Sequence, residues 1–311
     1  MSYLRTSDKS AIRQTIVNRN SYFCLFNIYT LLIMNLKCSV CLLSALLATT
    51  PVFPATYTTP KEEPVKTITN QWNGRHVAFL GDSITDPNNR SASKHYWEFL
   101  AEWLGIHPHV YAKSGHQWDD IYHQAERLKA EGTEVDAILI FAGTNDYNAG
   151  VPLGPWYDYK PVETTVKGGG REVRLQRTPQ QTDQTFCGRI NRVMDYLKTN
   201  FPDKQIIVLT PLHRGAARFS GNNIQPEESF PNRLGLYIDD YIKEVKETST
   251  VWAVPVIDLS SLSGLYPTND AHARYFHNRD TDRLHPNTEG QRRMALTLMY
   301  QLLALPGGFQ L

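Results

Sequence analysis

The sequence predicts a single three-layer α/β/α domain in which helices cover both faces of a five-stranded parallel sheet. From residue 76 onward, short and continuously apolar segments alternate with amphipathic segments of helical period. Continuous apolar strands are typical of parallel sheets, because both faces of such a sheet are buried. The chain has 311 residues, 41% of them hydrophobic, which is enough to enclose a substantial core.

Five segments have the length and composition of buried strands. Most of them are rich in β-branched or other large apolar residues, and Gly81 and Pro211 follow the ends of two of them. The predicted strands are residues 76–80, 110–112, 137–141, 205–209 and 254–258.

The segments that separate or follow these strands have helical periodicity. In the first of them, apolar side chains from Tyr96 to Trp103 recur at helical spacing, and Gly105 follows as a C-cap residue. The predicted helices are residues 94–104, 118–130, 186–199, 234–245 and 288–303.

Residues 147–182 interrupt this alternation. They are rich in Gly, Pro and aromatic residues, and segments 163–167 and 171–175 flank three glycines in the manner of a β-hairpin. We interpret 147–182 as an insertion over one rim of the sheet. Trp156 within it is a candidate for stacking on a sugar or an acyl chain, although such an aromatic residue can also pack against its own loop.

The first 55 residues have the organisation of a secretory signal. An apolar segment at 38–48 follows Lys37 and precedes small residues and prolines, which is the order found in signal peptides. We therefore expect cleavage between residues 48 and 55, a leader over residues 56–75, and a secreted or periplasmic protein.

The alternative is an uncleaved anchor over residues 22–48, which Asn35 and Lys37 interrupt. The two apolar stretches, 22–34 and 38–48, are shorter than the roughly 20 residues that a spanning helix needs. We therefore expect no stable membrane span in the mature protein. Met34 stands where a signal of ordinary length would begin, so we interpret residues 1–33 as an extension upstream of the true start.

The charge balance argues against nucleic-acid binding. Residues 56–311 carry 27 basic and 30 acidic side chains, so this part of the chain has no net attraction to a phosphate backbone. Cys187 is the only cysteine after residue 55 and cannot form an internal disulfide. The spacing of the histidines gives no indication of a metal site.

Polar residues follow three predicted strands directly and also precede the last helix. They form the segments 81–83, 114–115, 143–146 and 282–287. Ligands of open parallel sheets bind beyond the carboxyl ends of the strands, so we expect these four segments to meet at one edge. His213 and Arg214 follow the fourth strand, and they are either further contacts for a substrate or rim residues without function.

Ser83, Asp282 and His285 are the residue types of a nucleophilic hydrolase. A serine hydroxyl becomes an effective nucleophile when a base removes its proton, and His285 is the candidate base. Asp282 lies three residues earlier, so its carboxylate can hold one imidazole nitrogen while the other faces Ser83. Pro286 suits the first position of the last helix, which would place His285 at the N-terminal end of that helix.

Ester hydrolysis also requires donors for the oxyanion that forms when the carbonyl carbon is attacked. The backbone N–H of Gly115 is one candidate, because no side chain obstructs the approach of a substrate. The side-chain amide of Asn145 and the backbone N–H of Ser83 are the others.

In order and in spacing, these motifs resemble those of the SGNH hydrolases, also called GDSL esterases and lipases. That family is named for four residues, which here match Ser83, Gly115, Asn145 and His285. The resemblance covers about residues 76–304, nearly all of the predicted domain at 76–311. It implies a flavodoxin-like sheet, hydrolysis of acyl esters, and no metal or organic cofactor.

Two departures from the family pattern bear on the substrate. Ile84 replaces the leucine of the GDSL name, and the 147–182 insertion is long. An exported esterase with a polar, aromatic insertion suits removal of acetyl or other short acyl groups from a carbohydrate or small ester. The alternatives are a lipase or lysophospholipase acting on longer acyl chains, and a non-catalytic glycan- or lipid-binding module with the same fold. The sequence does not indicate an oligomeric state.

Overall fold

The computed structural model describes residues 70–309, which contain a five-stranded parallel sheet of order β2-β1-β3-β6-β9. Its strands are β1 (His76–Gly81), β2 (His107–Val110), β3 (Ala137–Phe141), β6 (Gln205–Leu209) and β9 (Val256–Ile257). The predicted five-stranded parallel sheet is confirmed. The predicted signal segment and most of the predicted leader lie outside the described residues.

The helices occur in the connections between strands, as a parallel sheet requires. A 3₁₀ helix at Asp270–Tyr275 accompanies them. The α-helices of residues 70–309 are α1 (Tyr96–Leu104), α2 (Trp118–Ala130), α3 (Thr144–Ala149), α4 (Phe186–Asn200), α5 (Ile238–Trp252), α6 (Leu259–Leu262) and α7 (Thr288–Leu303).

The core is divided between the two faces of the sheet, because successive residues of a strand point to opposite sides. In β3, Ile138 and Ile140 belong to the cluster formed with α2, α4 and α5. Leu139 and Phe141 belong to the cluster formed with α1 and α7. This alternation produces the three predicted layers.

The second strand lies earlier in the chain than predicted. The register of β1 aligns His76 with His107 and Phe79 with Val110, so β2 occupies residues 107–110 rather than 110–112. An edge strand that carries two histidines has no continuous apolar segment, which is why its pattern did not identify it.

Helix α5 and strand β9 also differ from their predicted bounds. Tyr237 is the N-cap of α5, and Asp240 accepts its backbone N–H at 2.8 Å, so the helix begins at Ile238 rather than at residue 234. The helix continues to Trp252 and ends where Ala253 adopts a left-handed conformation with φ of 52°. Only two residues of the predicted last strand pair with β6.

A second, antiparallel sheet of order β10-β11-β7-β8 was not predicted. Its strands are β7 (Ala217–Ser220), β8 (Asn223–Gln225), β10 (Phe276–Asn278) and β11 (Asp282–Pro286). They have three to five residues each and are mostly polar, so their sequences lack the pattern of a buried strand. Strand β11 is interior to this sheet and carries both Asp282 and His285.

The predicted hairpin within residues 147–182 is confirmed and is longer than expected. Strands β4 (Tyr157–Thr165) and β5 (Arg171–Pro179) pair antiparallel over nine residues each. Nearly all of these residues are exposed. Its base is attached to α4, where Asn191 Nδ2 donates to the carbonyl oxygens of Trp156 and Gln180.

We expect Leu139→Ala to lower the free energy of unfolding by about 2–5 kcal/mol, because it leaves a cavity in the central strand of the sheet. Leu139 is 1% exposed, whereas Leu296 on α7 is 40% exposed and provides a matched control. Urea titration of both variants gives the comparison. Equal losses for Leu139→Ala and Leu296→Ala would contradict this account of the core.

Candidate active site

Strand β1 ends in a tight turn that contains Ser83. Asp82 Oδ1 accepts the backbone N–H of Ile84 at 3.0 Å, and the carbonyl oxygen of Asp82 accepts the N–H groups of Thr85 and Asp86. These bonds define residues 82–86 as a compact unit, the serine turn. Ser83 is buried, with 8% of its surface exposed.

Gly81 connects the sheet to the serine turn and is held from both sides. A Cβ at this position would lie 2.9 Å from the carbonyl oxygen of Phe141, so only glycine fits. On the other side, Gln124 Oε1 accepts the Gly81 N–H and Gln124 Nε2 donates to the Gly81 carbonyl oxygen, both at 2.8 Å. The Gln124 amide thus adds to the backbone N–H of Lys113, which donates to the same Gly81 carbonyl oxygen at 3.2 Å from the segment after β2.

Gln124 was not among the predicted site residues. It is a buried polar residue on the same stripe of α2 as Ile121, Ala125 and Leu128. Its Nε2 also lies 2.8 Å from His116 Nδ1, so one side chain fixes both the serine turn and the segment after Gly115. A glutamine on the apolar face of an amphipathic helix was the only signal in the sequence.

The serine turn faces strand β11, and three predicted residues form one chain of hydrogen bonds. His285 Nε2 lies 2.9 Å from Ser83 Oγ, and His285 Nδ1 lies 2.9 Å from Asp282 Oδ2. Asp282 Oδ1 accepts the backbone N–H groups of Leu284 and His285, each at 3.1 Å. The carboxylate therefore closes a local turn and is aimed at the imidazole by the backbone itself.

The hydrogen bonds assign the state of each group. Because an ionised carboxylate only accepts, the imidazole proton lies on Nδ1 of His285, and Nε2 can accept the Ser83 hydroxyl proton. Burial by itself would raise the pKa of Asp282, but the hydrogen bond and charge of His285 and the backbone N–H donors together lower it. Asp282 is thus held as the anion that would stabilise an imidazolium.

Pro286 is not the first residue of the last helix, contrary to expectation. It is the last residue of β11, paired with Phe276, and α7 begins at Thr288. The side chain of Asn287 is the N-cap and accepts the N–H groups of the second and third helical residues. An asparagine cap is a strong start signal, and it places His285 in a strand rather than at the mouth of the helix.

The segments that carry the candidate oxyanion donors are joined by hydrogen bonds. Asn145 Nδ2 donates to the carbonyl oxygen of His116 at 2.9 Å, which brings the start of α3 to the residue after Gly115. Ser114 donates its N–H and its hydroxyl to Asp86 Oδ2, at 2.8 and 2.7 Å. The Gly115 segment is thereby connected to both α3 and the serine turn.

Gly115 has a φ of 85°, and a Cβ there would meet no atom within 4 Å. Its backbone therefore lies beside open space. Among the hydrogen bonds within residues 70–309, none uses the backbone N–H of Ser83 or of Gly115. Both groups are available as donors to a bound ligand.

Arg214 and His213 line a small cavity together with Asp82 and Ile84 of the serine turn. The Arg214 side chain is buried, and its guanidinium donates to Thr144 and to Gln225 Oε1. Burial lowers the pKa of Arg214 to about 10. His213 Nδ1 lies 2.9 Å from each carboxylate oxygen of Glu228, and this hydrogen bond raises the pKa of the imidazole.

The Arg214 side chain is therefore buried and bonded within the protein, whereas the His213 side chain is partly exposed. Both residues line a cavity of about 10 Å³, which is the space of a single water. Trp156 lies at the base of the hairpin, where its indole N–H donates to Glu244 on α5 at 2.7 Å. Trp156 is thus held by hydrogen bonds to α4 and α5.

Phe219 on β7 lies beside the candidate base, which sequence analysis did not predict. Its ring centre is 5.4 Å from that of His285, and the side chain is 43% exposed. Pairing of β7 with β11 at Ala217 and Asp282 sets this position. An exposed ring next to a buried imidazole can contact whatever is bound at Ser83.

An open cleft of about 510 Å³ borders the Gly115 segment. Polar and charged side chains line much of it, among them Asp86, Lys113, Ser114 and His116. Its lining can offer several hydrogen-bond donors and acceptors to a hydroxylated ligand. Within residues 70–309, no three His, Cys, Asp or Glu side chains are grouped so that they could hold a metal ion.

Fold and site together define an α/β protein of the SGNH class, with a Ser–His–Asp arrangement at the edge of its parallel sheet. The model of the GDSL-like Lipase/Acylhydrolase family matches residues 79–293, and the chain belongs to this family. The predicted family resemblance is therefore confirmed. Membership supports an ester hydrolase in general.

Two solved structures illustrate the similarity. A protein from Lactobacillus plantarum is 26% identical, with a TM-score of 0.56 over 75% of this chain and 98% of that one. A possible lipase from Chitinophaga pinensis is 19% identical, with a TM-score of 0.54 over 74% of this chain and 99% of that one. No curated protein matches the chain. None of the helices in residues 70–309 has the length and apolar character needed to cross a membrane.

Asp82 makes the stability of the fold depend on pH. Burial raises its pKa from 3.8 to about 6, although the Ile84 N–H and the nearby positive charges of His285 and Arg214 oppose the shift. The folded state therefore keeps a proton that the unfolded chain loses. This contribution to stability is complete below pH 3.8 and is lost as the pH rises through about 6.

We expect Asp82→Asn to remove this loss, which is on the order of 2–3 kcal/mol for a shift of this size. The asparagine Oδ1 can still accept the Ile84 N–H, so the serine turn is kept. The measurement is urea unfolding between about pH 4 and pH 7, with the exposed Asp280→Asn as control. If wild type and Asp82→Asn share one pH dependence, the burial argument for Asp82 is wrong.

Proposed function

We propose that the chain hydrolyses carboxylic esters through a serine acyl-enzyme and removes acetyl or other short acyl groups from a carbohydrate or small ester. The observation that carries this proposal is the continuous hydrogen-bonded chain from Asp282 through His285 to Ser83, with both links at 2.9 Å. Membership of the acylhydrolase family supports the same reaction class.

In the proposed reaction, Ser83 Oγ attacks the acyl carbonyl carbon while its proton moves to His285 Nε2. The charge on the carbonyl oxygen is stabilised by the N–H groups of Ser83 and Gly115 and by the Asn145 amide. Collapse of the tetrahedral intermediate breaks the ester C–O bond, and the alcohol leaves with the proton from His285. Water then gives its proton to His285, attacks the acyl-enzyme and releases the acid, which restores Ser83.

The shape of the site supports a short acyl group. The cavity next to the serine turn, lined by Asp82, Ile84, Phe141 and Leu284 among others, holds about 10 Å³, so no deep apolar pocket for a long acyl chain opens there. A longer chain would have to lie on the surface against Phe219. The open cleft beside the Gly115 segment offers Asp86, Lys113 and His116 as partners for the hydroxyl groups of a carbohydrate alcohol.

One observation favours the second candidate, a lipase or lysophospholipase. Phe219 on β7 is an exposed apolar side chain beside His285, and Ile224 on the neighbouring strand β8 is also exposed. They could support a long acyl chain at the surface. The two candidate functions therefore differ in the length of the acyl chain that the site accepts best.

Export to the periplasm or the medium is part of the proposal. Its support is the order of Lys37, the apolar segment 38–48 and the small residues that follow. N-terminal sequencing of protein recovered from the periplasm or medium would show a start between residues 49 and 56 if the signal is cleaved there. Recovery only as an uncleaved, cell-associated chain would contradict export.

We expect Ser83→Ala to lower the turnover of p-nitrophenyl esters by roughly four to six orders of magnitude, because the nucleophile is lost. Ser249→Ala, an exposed serine on α5, is the control and should keep wild-type turnover. Within a series from acetyl to longer acyl esters, the acetyl or butyryl ester should be the best substrate.

Three outcomes would contradict the proposal. Turnover that survives in Ser83→Ala would exclude the serine mechanism. A maximum at long acyl chains would favour the lipase. A folded protein that binds glycans or lipids and turns over no ester would favour the non-catalytic module.

Phe219→Ala should reduce kcat/KM for a butyryl ester more than for an acetyl ester, by roughly threefold to tenfold. The reason is that the ring offers an apolar contact only to methylenes that acetate lacks. Phe219→Leu should keep most of the preference. An equal loss for both esters would mean that Phe219 acts by positioning His285 and does not contact the acyl group.

A further inference from the structure

The open cleft of about 510 Å³ beside the Gly115 segment has an acidic side chain, Asp86, among its lining residues. Asp86 is buried, and its carboxylate accepts four hydrogen bonds, two from Ser114 and two from Asn88, at 2.7 to 3.2 Å. Burial acts to raise the pKa of Asp86, but these donors lower it. Most of the accepting capacity of this carboxylate is therefore used within the protein.

The other carboxylates around the cleft belong to α2 and its C-terminal end, and they are paired as well. Glu131 Oε1 accepts Arg127 Nε at 2.7 Å, and Glu126 Oε2 lies 2.9 Å from His123 Nδ1. Asp120 Oδ2 accepts the backbone N–H of the residue before α2 at 2.8 Å. None of these acidic groups is left without a donor.

Lys113 differs from the other charged groups of the cleft. Its side chain is exposed, and within residues 70–309 its ammonium group takes part in no hydrogen bond or ion pair. The backbone around it is fixed, because the Lys113 N–H donates to the Gly81 carbonyl oxygen and its carbonyl oxygen accepts the His116 N–H, both at 3.2 Å. An unpaired cation held at the wall of a cleft attracts an anionic ligand.

His116 supplies a second free donor. The Gly81 N–H requires the Oε1 acceptor of Gln124, which fixes the orientation of that amide and makes the atom 2.8 Å from His116 Nδ1 the donating Nε2. The neutral imidazole therefore accepts at Nδ1 and carries its proton on Nε2. In the described part of the chain the Nε2 proton has no acceptor. Burial lowers the pKa of His116, which favours this neutral form.

Both free donors lie on the segment that carries the candidate oxyanion donor Gly115. Lys113 is two residues before Gly115, and His116 follows it directly, with its carbonyl oxygen held by Asn145 Nδ2 at 2.9 Å. A ligand group that reaches these donors thus belongs to a molecule bound beside Ser83. A carboxylate fits them, because it only accepts hydrogen bonds and carries the charge opposite to that of Lys113.

We propose that this cleft binds a carboxylate on the alcohol part of the ester, so that the preferred substrate is the acetyl ester of an acidic sugar. The proposal rests on the proposed esterase function and narrows its substrate class. Lys113 Nζ and His116 Nε2 donate to the carboxylate. A doubly charged phosphate suits the cleft less well, because four carboxylates surround it and repel a second negative charge. They are Asp86, Asp120, Glu126 and Glu131.

The test uses two matched substrates, an acetylated methyl galacturonide and the corresponding acetylated methyl galactoside. They differ only in a carboxylate that replaces a hydroxymethyl group. We expect kcat/KM for acetate release to be about tenfold higher for the galacturonide at low ionic strength, the effect of a charge-assisted hydrogen bond. The advantage should shrink in about 0.3 M NaCl, because salt screens an exposed charge.

Substitutions assign this preference to the cleft. Lys113→Gln should remove most of the galacturonide advantage, and Lys113→Glu should reverse it. His116→Asn keeps an acceptor for Gln124 but loses the Nε2 donor, so it should reduce the advantage by about threefold. Lys243→Gln, at an exposed lysine on α5, is the control and should change neither rate. Equal kcat/KM for both esters in the wild type, or a preference that Lys113→Glu leaves intact, would overturn the proposal.

Binding is measured separately from turnover, in the Ser83→Ala protein. Calorimetric titration with trigalacturonic acid should show saturable binding that Lys113→Glu in the same background abolishes, and a neutral galactose trisaccharide should bind more weakly. Displacement of trigalacturonic acid by an equal concentration of inorganic phosphate would assign the cleft to phosphate and contradict the carboxylate.

The two proposals fail in different ways. If the wild type hydrolyses no ester while Ser83→Ala binds trigalacturonic acid through Lys113, the esterase function is wrong and the carboxylate site stands. If both esters are hydrolysed equally and trigalacturonic acid does not bind, the esterase function stands and the carboxylate site is wrong.

Discussion

The candidate site depends on one hydrogen bond, between His285 Nε2 and Ser83 Oγ, which joins residues 202 positions apart in the chain. Ser83 belongs to the turn after β1 of the parallel sheet, and His285 belongs to β11 of the antiparallel sheet. Gln291 on α7 holds the two parts together, because it accepts the Tyr96 N–H at 3.0 Å and donates to the Ile84 carbonyl oxygen at 3.1 Å. A buried amide that uses both ends in this way ties α7, the helix that follows β11, to the serine turn and to α1.

Two buried aspartates near this bond show how donors decide the state of a carboxyl group. Asp82 accepts one backbone N–H from Ile84, and its burial raises its pKa to about 6. Asp282 accepts two backbone N–H groups as well as the imidazole of His285, and its pKa is lowered in spite of burial. Asp82 therefore stabilises the serine turn, and Asp282 is the carboxylate that stays ionised beside the imidazole.

The sequence was sufficient to predict a residue's role where that role follows from its position in a strand or directly after one. Four of the five parallel strands could be located from their apolar segments, and Ser83, Gly115 and Asn145 could be placed after strand ends at one edge of the sheet. Residues whose role comes from tertiary contacts could not be found. Gln124 matters because its amide bonds both backbone polar groups of Gly81, and Phe219 matters because β7 pairs with β11. No local sequence pattern reveals either contact.

The connection from β3 to α4 carries both Asn145, a candidate oxyanion donor, and the exposed hairpin of β4 and β5. Backbone hydrogen bonds at the base of the hairpin separate the two. Phe186 and Cys187 at the start of α4 donate their N–H groups to the carbonyl oxygens of Pro152 and Leu153, at 2.8 and 2.9 Å, and so close the base of the insertion. Since Asn145 lies before this closure, a change in the length of the hairpin need not move the Asn145 side-chain amide.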